Sequence, residues 1–296
     1  MFGATMMMAG LAAMTAAMGH GHDQADDPLT RPVPSSYTEQ WLAPVPPEKL
    51  FGNSYLVGFG GLSVALIDTG DGLILVDGAM PQSAPDVLAN VRKLGFDPKD
   101  IKFILSTEPH FDHGGGIPAL ARDTGATVLT GARGVKALKS GRLDADDPQL
   151  SYDHSFPGVA APVRAMRDGE VLALGDARIT AHATPGHTMA SMSWSWPACE
   201  ADNCRTIVFA ASLNAVSGDD YRYSAPESAP IVAGFAHSFA VMKTIPCDLL
   251  ITSHPAGADK RYIDAPGACR TYAEQSQQRL EARLLKERGE AGAGAQ

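Results

Sequence analysis

Ten residues near the middle of the chain restrict its fold more than any other stretch. Thr107-Glu108-Pro109-His110-Phe111-Asp112-His113-Gly114-Gly115-Gly116 follow directly on Ile101-Lys102-Phe103-Ile104-Leu105-Ser106. The apolar, β-branched run reads as a buried strand, so Glu108, His110, Asp112 and His113 arrive at a strand end. Alternation along a strand sends Glu108 and His110 to one side and Phe111 to the other. Asp112 and His113, neighbours in the turn that follows, can face a second centre. Gly114 to Gly116 let the backbone turn sharply without steric cost. Carboxylates and imidazoles gathered this densely suit a metal ion. The competing reading, a polar strand-to-helix loop with an aspartate cap, leaves four potential ligands in six residues unexplained.

The rest of the chain supplies a frame for such a loop. Tyr55 to Val57, Val64 to Ile67 and Leu73 to Val76 are short β-rich runs, and Asp68-Thr69-Gly70-Asp71-Gly72 is a hairpin turn signal. Ser83 offers a helix N-cap, with Val87, Leu88, Val91 and Leu94 at helical spacing and Gly95 as the stop. Helical patterns recur at Ile117 to Asp123, Ala132 to Ser140, Ser228 to Ile245 and Thr271 to Glu287. Further strands are expected at Ala126 to Thr130, Val163 to Met166, Val171 to Leu174, Ile179 to Ala183, Ser191 to Trp196, Thr206 to Ala211 and Leu249 to Thr252. Residues 141–162 read as irregular. Strands followed by helices, twice over, predict two packed sheets with helices outside, a four-layer αββα sandwich spanning 41–290. A chain of 296 residues with 45% hydrophobic content can fill such a core. Its formal charge is −9, and no Lys/Arg run interrupts the acidic balance, which argues against a nucleic-acid partner.

Residues 1–19 carry no charge and end in Ala17-Met18-Gly19, like the apolar core and cleavage region of a secretory signal, though without a basic start. A retained membrane anchor is the alternative; cleavage is the expectation, leaving no stable membrane association and a periplasmic protein. Residues 20–40 are polar and rich in proline and read as a flexible arm, in which His20 and His22 could bind metal only weakly. Four cysteines behind such a leader read as disulfides, with three pairings formally open. Four free thiols are the alternative.

The ligand-rich segment resembles the His-x-His-x-Asp-His signature of the metallo-β-lactamase superfamily, with Glu108 in place of the first histidine. Thr184-Pro185-Gly186-His187-Thr188 and Leu250-Ile251-Thr252-Ser253-His254-Pro255 look like the two other ligand-bearing segments of that family, in the same order. Gly52 to Gly58, Ile74 to Gly78 and Cys269 to Ala273 add to the resemblance, which points to subclass 3 of the class B β-lactamases. Glyoxalase-type relatives carry a metal-bridging Asp, and other lactamase subclasses a Cys, where this chain has Ser212, as subclass 3 does. Asn214 stands where that subclass often has a second Ser, and Ala211 where it often has Asp.

Carried over residue by residue, the resemblance implies Glu108, His110 and His187 at a first zinc and Asp112, His113 and His254 at a second, with Asp112 the candidate catalytic carboxylate. Two zinc ions per chain are implied, the first site weaker because of its carboxylate. The implied reaction is attack of a metal-bound hydroxide on the amide of a small-molecule β-lactam (penicillin, cephalosporin or carbapenem), conferring antibiotic resistance. Ser212 and Asn214 are candidates for holding the substrate carboxylate, and Asp77 for supporting the ligand loop from behind. His154, His182 and His237 lack ligand neighbours and read as structural or solvent-facing; Trp194 and Trp196 read as core or sheet-surface aromatics. Pairings Cys199–Cys204 and Cys247–Cys269 are predicted: the first closes a short connection between two strands, the second ties the start of the strand before His254 to the last helix. A monomer is expected. The alternatives are a lactone or thioester hydrolase on the same fold, and a metal-binding protein without catalysis.

Overall fold

The computed structural model describes residues 27–293. The candidate leader at 1–19, with His20 and His22, lies outside them. Where strands were expected, strands form, because alternate residues of each run enter different apolar layers. Helix α1 (Thr38–Trp41) precedes a first sheet of β1 (Glu48–Phe51), β2 (Ser54–Leu56), β3 (Ala65–Asp68), β4 (Leu73–Val76), β5 (Ile101–Leu105), β6 (Thr127–Gly131) and β7 (Val163–Met166), in that spatial order. The first four are antiparallel; β4 to β7 run parallel. Their crossovers are α2 (Ala84–Lys93), α3 (Ile117–Thr124) and α4 (Ala132–Ser140). The second sheet holds β8 (Val171–Leu174), β9 (Ala177–Ala183), β10 (Met192–Glu200), β11 (Asn203–Ala210), β12 (Leu249–Thr252) and the two-residue edge strand β13 (Ile263–Asp264). Helix α5 (Ala229–Thr244) makes the crossover from β11 to its parallel neighbour β12, and α6 (Ala268–Ala293) closes the chain.

Three apolar layers follow from the alternation. Leu73 and Leu75 pack with Val87, Val91 and Leu120 beneath the first helices. Ile74 and Val76 point the other way, with Leu105 and Leu129, into an inter-sheet core shared with Trp194, Trp196, Phe209 and Ile251. Val208 and Leu250 leave that core for a third layer with Phe235, Phe239 and Met242 of α5 and Leu280 of α6. Helix, sheet, sheet and helix are thus stacked as the four-layer sandwich the sequence predicts. Trp194 and Trp196 are core residues, and the Trp196 indole donates to Ser54 Oγ at 2.9 Å.

Some local details differ from expectation. Ser83 occupies the N-cap position of α2, but its hydroxyl donates back to Met80 O at 2.7 Å instead of capping the helix. A 3₁₀ turn over Pro81–Ser83 puts Ser83 in the helical region, which aims its side chain backwards. Strands β1 and β13 were not foreseen, being short and at sheet edges. At the end of the expected arm, α1 brings the Trp41 ring to 6.0 Å from Phe111 and 5.2 Å from His254. Both predicted disulfides are present: Cys199–Cys204 joins directly opposed residues of the β10–β11 hairpin, and Cys247–Cys269 links the entry of β12 to the first turn of α6. Among the described residues no helix is long and apolar enough to cross a membrane.

Candidate metal centre

Strand β5 ends at Leu105, so the ligand-rich residues sit on the loop beyond it, not on the strand itself. The loop is held from behind by Asp77, the residue after β4. Its carboxylate accepts from Thr107 N at 2.7 Å and from Thr107 Oγ1 at 2.6 Å, while its own N–H donates to Leu105 O. Asp77 adopts φ +64°, a left-handed conformation that Asp tolerates better than most residues. The glycines that follow serve close approach, not an unusual φ. A Cβ on Gly115 would meet Phe111 O at 2.1 Å, and one on Gly116 would meet Gly78 O at 2.1 Å.

Six side chains converge in two groups, Glu108/His110/His187 and Asp112/His113/His254, the ligand atoms of each group lying within 4.8 Å of one another. His187 arrives from the loop after β9, and His254 from the end of β12. In the second group Asp112 Oδ2, His113 Nε2 and His254 Nε2 are 3.1, 3.2 and 3.4 Å apart. Ligands about 2.1 Å from a tetrahedral ion are separated by about 3.4 Å, so these three atoms fit one coordination shell. In the first group His110 Nδ1 and His187 Nε2 are 3.2 Å apart.

Three of the four histidines have their outer ring nitrogen engaged, which turns the inner nitrogen towards the group; the outer nitrogen of His113, 3.8 Å from Asp77 Oδ2, has no hydrogen-bond partner. His187 Nδ1 donates to Asn214 O at 2.7 Å, and His254 Nδ1 to Gly61 O at 3.2 Å. His110 Nε2 lies 3.2 and 3.3 Å from the two carboxylate oxygens of Asp147. Glu108 is wholly buried. Its Oε1 accepts from Ser212 Oγ at 2.7 Å and lies 3.1 Å from His113 Nε2, so the carboxylate stands between the two groups.

Burial and charge set the protonation states. Burial pushes the Asp112 carboxyl up, but His113 and His254 override it and hold the group well below the usual carboxylate range. Burial likewise opposes ionisation of Glu108, and His187, His113 and His110 reverse that to a net lowering. Burial drives His113 down to about 4 and lowers His187. His110 rises to about 9, because Asp147 outweighs burial. Burial pushes Asp77 well above its ordinary value despite its bonds from Thr107. Anionic Glu108 and Asp112 beside neutral His113 and His187 form a donor set that attracts a cation, and the residues present fit a pair of zinc ions.

Both groups open onto a cavity of about 730 Å³ walled by Trp41, Phe111, Tyr152, His154, Gln149 and Val216. Ser212 and Asn214 line it too, but the Ser212 hydroxyl is engaged by Glu108, and Asn214 Oδ1 accepts from Arg279 at 3.0 Å. His154 departs from its expected role: its ring is 4.3 Å from Phe111 and forms part of the cavity wall. His182 bonds Ser195 Oγ at 2.8 Å, away from the ligands, and His237 is exposed. Sequence reasoning missed Asp147, Gln149 and Tyr152. They lie in the stretch read as irregular, where no periodicity or spacing separates Asp147 from its neighbours Asp144 and Asp146.

Residues 48–201 match the Metallo-beta-lactamase superfamily, and the chain belongs to it. Among solved structures it resembles a B3 metallo-β-lactamase with an active-site glutamic acid, at 63% identity and TM-score 0.86 over 89% of this chain and 99% of that one. MEM-A1, a subclass B3 metallo-β-lactamase isolated from a soil metagenome library, matches at 40% identity and TM-score 0.79 over 84% of this chain and 99% of its own. Within the superfamily this chain therefore falls in subclass B3. A probable metallo-hydrolase of Burkholderia pseudomallei (strain 1710b) is 31% identical over 45% of this chain and 47% of its own length. The chain spans less than half the length of the curated relatives it matches.

Proposed function

We propose that this chain is an exported, monomeric β-lactamase that hydrolyses the β-lactam amide with two zinc ions, one in each donor group. The observation that carries the reading is the second group, whose three donor atoms already stand at the separations of one tetrahedral shell. The ions, when bound, supply Lewis acidity and make water nucleophilic near neutral pH. The chain's own residues do the positioning. Asp147, Asn214 O and Gly61 O orient the imidazoles of His110, His187 and His254. Ser212 holds Glu108, and Asp77 holds the loop that carries four of the six ligands. Trp41, Phe111 and Tyr152 offer an apolar wall to a bicyclic substrate, with Asn214 at the cavity rim as a contact for its carboxylate. Two disulfides and the apolar leader support an oxidising, extracytoplasmic setting, in which such an enzyme confers antibiotic resistance.

Turnover of nitrocefin, a penicillin and a carbapenem, set beside a lactone and a thioester, tests this reading. Hydrolysis of the β-lactams should disappear on exhaustive chelation, return with zinc, and resist serine-directed inhibitors. Activity that survives chelation, or faster turnover of lactone or thioester, overturns it.

A further inference from the structure

One side chain at the first donor group has no role so far. The Gln149 amide lies 3.1 Å from His187 Nε2 and 3.5 Å from His110 Nδ1, and those two nitrogens are 3.2 Å apart. The triangle has edges close to the roughly 3.4 Å expected between ligands of a tetrahedral ion. The position is also anchored. Gln149 N donates at 2.8 Å to Asp147 Oδ1, and the same carboxylate holds the outer nitrogen of His110. One buried aspartate thus places both the imidazole and the amide beside it.

Both imidazole nitrogens at this vertex face the group, because their outer nitrogens are engaged by Asp147 and by Asn214 O, and each offers a lone pair to a metal that displaces any proton on it. The two ends of a glutamine amide have nearly the same shape, so a half-turn of the terminal group exchanges N–H for carbonyl oxygen without moving the chain. With nitrogen inward the amide donates to the imidazoles; with oxygen inward it shares a cation with them. Glu108, meanwhile, leans towards His113 and is held there by Ser212. The first group is therefore short of a donor on the cavity side, where Gln149 stands.

We propose that Gln149 Oε1 is a displaceable ligand of the first metal, completing the shell begun by His110, His187 and Glu108. This rests on the two-zinc reading above. A neutral amide oxygen is a weak donor, so an incoming substrate oxygen can take its place and open the position that a catalytic metal requires.

The test uses the intact protein, loaded with zinc or cobalt(II) and free of substrate. Zinc affinity at each site is read by competition with a chelator, and coordination by the visible spectrum of the cobalt form. Gln149→Leu should weaken the first site about tenfold, within the range that ligand-supporting residues command, and change the cobalt spectrum. The second site should keep its affinity, which also reports that the variant is folded. Gln149→Asn, whose shorter arm misses the vertex, should behave like Gln149→Leu. Gln149→Glu should restore or tighten the first site. Unchanged first-site affinity and spectrum in Gln149→Leu, with two zinc ions still bound, overturn this proposal and leave the two-zinc reading standing. A wild-type protein that takes up no metal at the first group overturns both.

Discussion

The two donor groups share one cavity and nearly one loop, yet they are built differently. Asp112, His113 and His254 form a compact set, each imidazole within 3.4 Å of the carboxylate, on a loop and a strand end that are both tied down. Glu108, His110 and His187 are looser: two imidazoles stand at ligand distance, while the carboxylate bonds Ser212 and approaches an imidazole of the other group. The difference shows that six ligands in the right order do not make two equivalent sites. A carboxylate in place of an imidazole changes both charge and reach, and at Glu108 the buried carboxylate is held by the nearest neutral donor.

If that contrast is correct, the second group should fill first, with activity rising as zinc is added beyond one equivalent. Glu108 gives the largest expected effect. Glu108→Ala should lower turnover about a hundredfold, the upper end of what supporting residues of metal sites cost. Glu108→His should tighten the first site and flatten the zinc dependence. Metal content and kinetics on the three proteins decide the matter. Both zinc ions and full activity retained in Glu108→Ala would show that Glu108 is no ligand.

Asp147 sharpens the comparison further. It holds the His110 proton up to about pH 9, and a metal must displace that proton. First-site affinity should therefore climb with pH and level off near 9, whereas His113, pushed down to about 4, has no proton to lose at neutral pH. Asp147→Asn removes the group that raises His110. The plateau should begin at lower pH, towards the ordinary imidazole range of about 6.5, and the first-site affinity on the plateau, compared above pH 9 where neither protein holds the competing proton, should drop about tenfold or more. Zinc titration by calorimetry across pH reads both effects; an unmoved plateau would sink the assignment.

The smallest effect belongs to the disulfides. The entry of β12, the strand that leads to His254, is tied to α6 by Cys247–Cys269, whereas Cys199–Cys204 closes only a hairpin. Replacing Cys247 and Cys269 by Ser should cost about 2–4 kcal/mol of stability, and the short Cys199–Cys204 loop less, because closure entropy grows with loop length. Denaturant unfolding of the two double variants gives the ranking, and second-site affinity should weaken only in the first. Equal losses, or an unaffected second site, would remove the structural basis of the contrast.

How much of this was legible depends on where the determining contacts lie along the chain. Val76, Leu105, Phe209 and Ile251 alternate with neighbours bound for other layers, and alternation is written in consecutive residues, so the sheets could be read locally. Glu108, His110, Asp112 and His113 were legible for the same reason, being packed into six positions. His187 and His254 needed more, the resemblance of their flanking segments to a known order. Asp147 and Gln149 were not legible at all: an irregular segment has no period, and only folding brings 147 and 149 against His110, some forty residues earlier. Nor could the sequence show that the Ser212 hydroxyl faces Glu108, or that the Trp41 ring lies 5.2 Å from that of His254. The sequence by itself determined the layers and which residue types could bind metal, because hydrophobic periodicity and local ligand spacing are properties of neighbouring residues. Only the tertiary structure decided which donors stand about 3 Å apart and which carboxylate each buried imidazole meets, because those distances are set by segments that meet once the chain has folded.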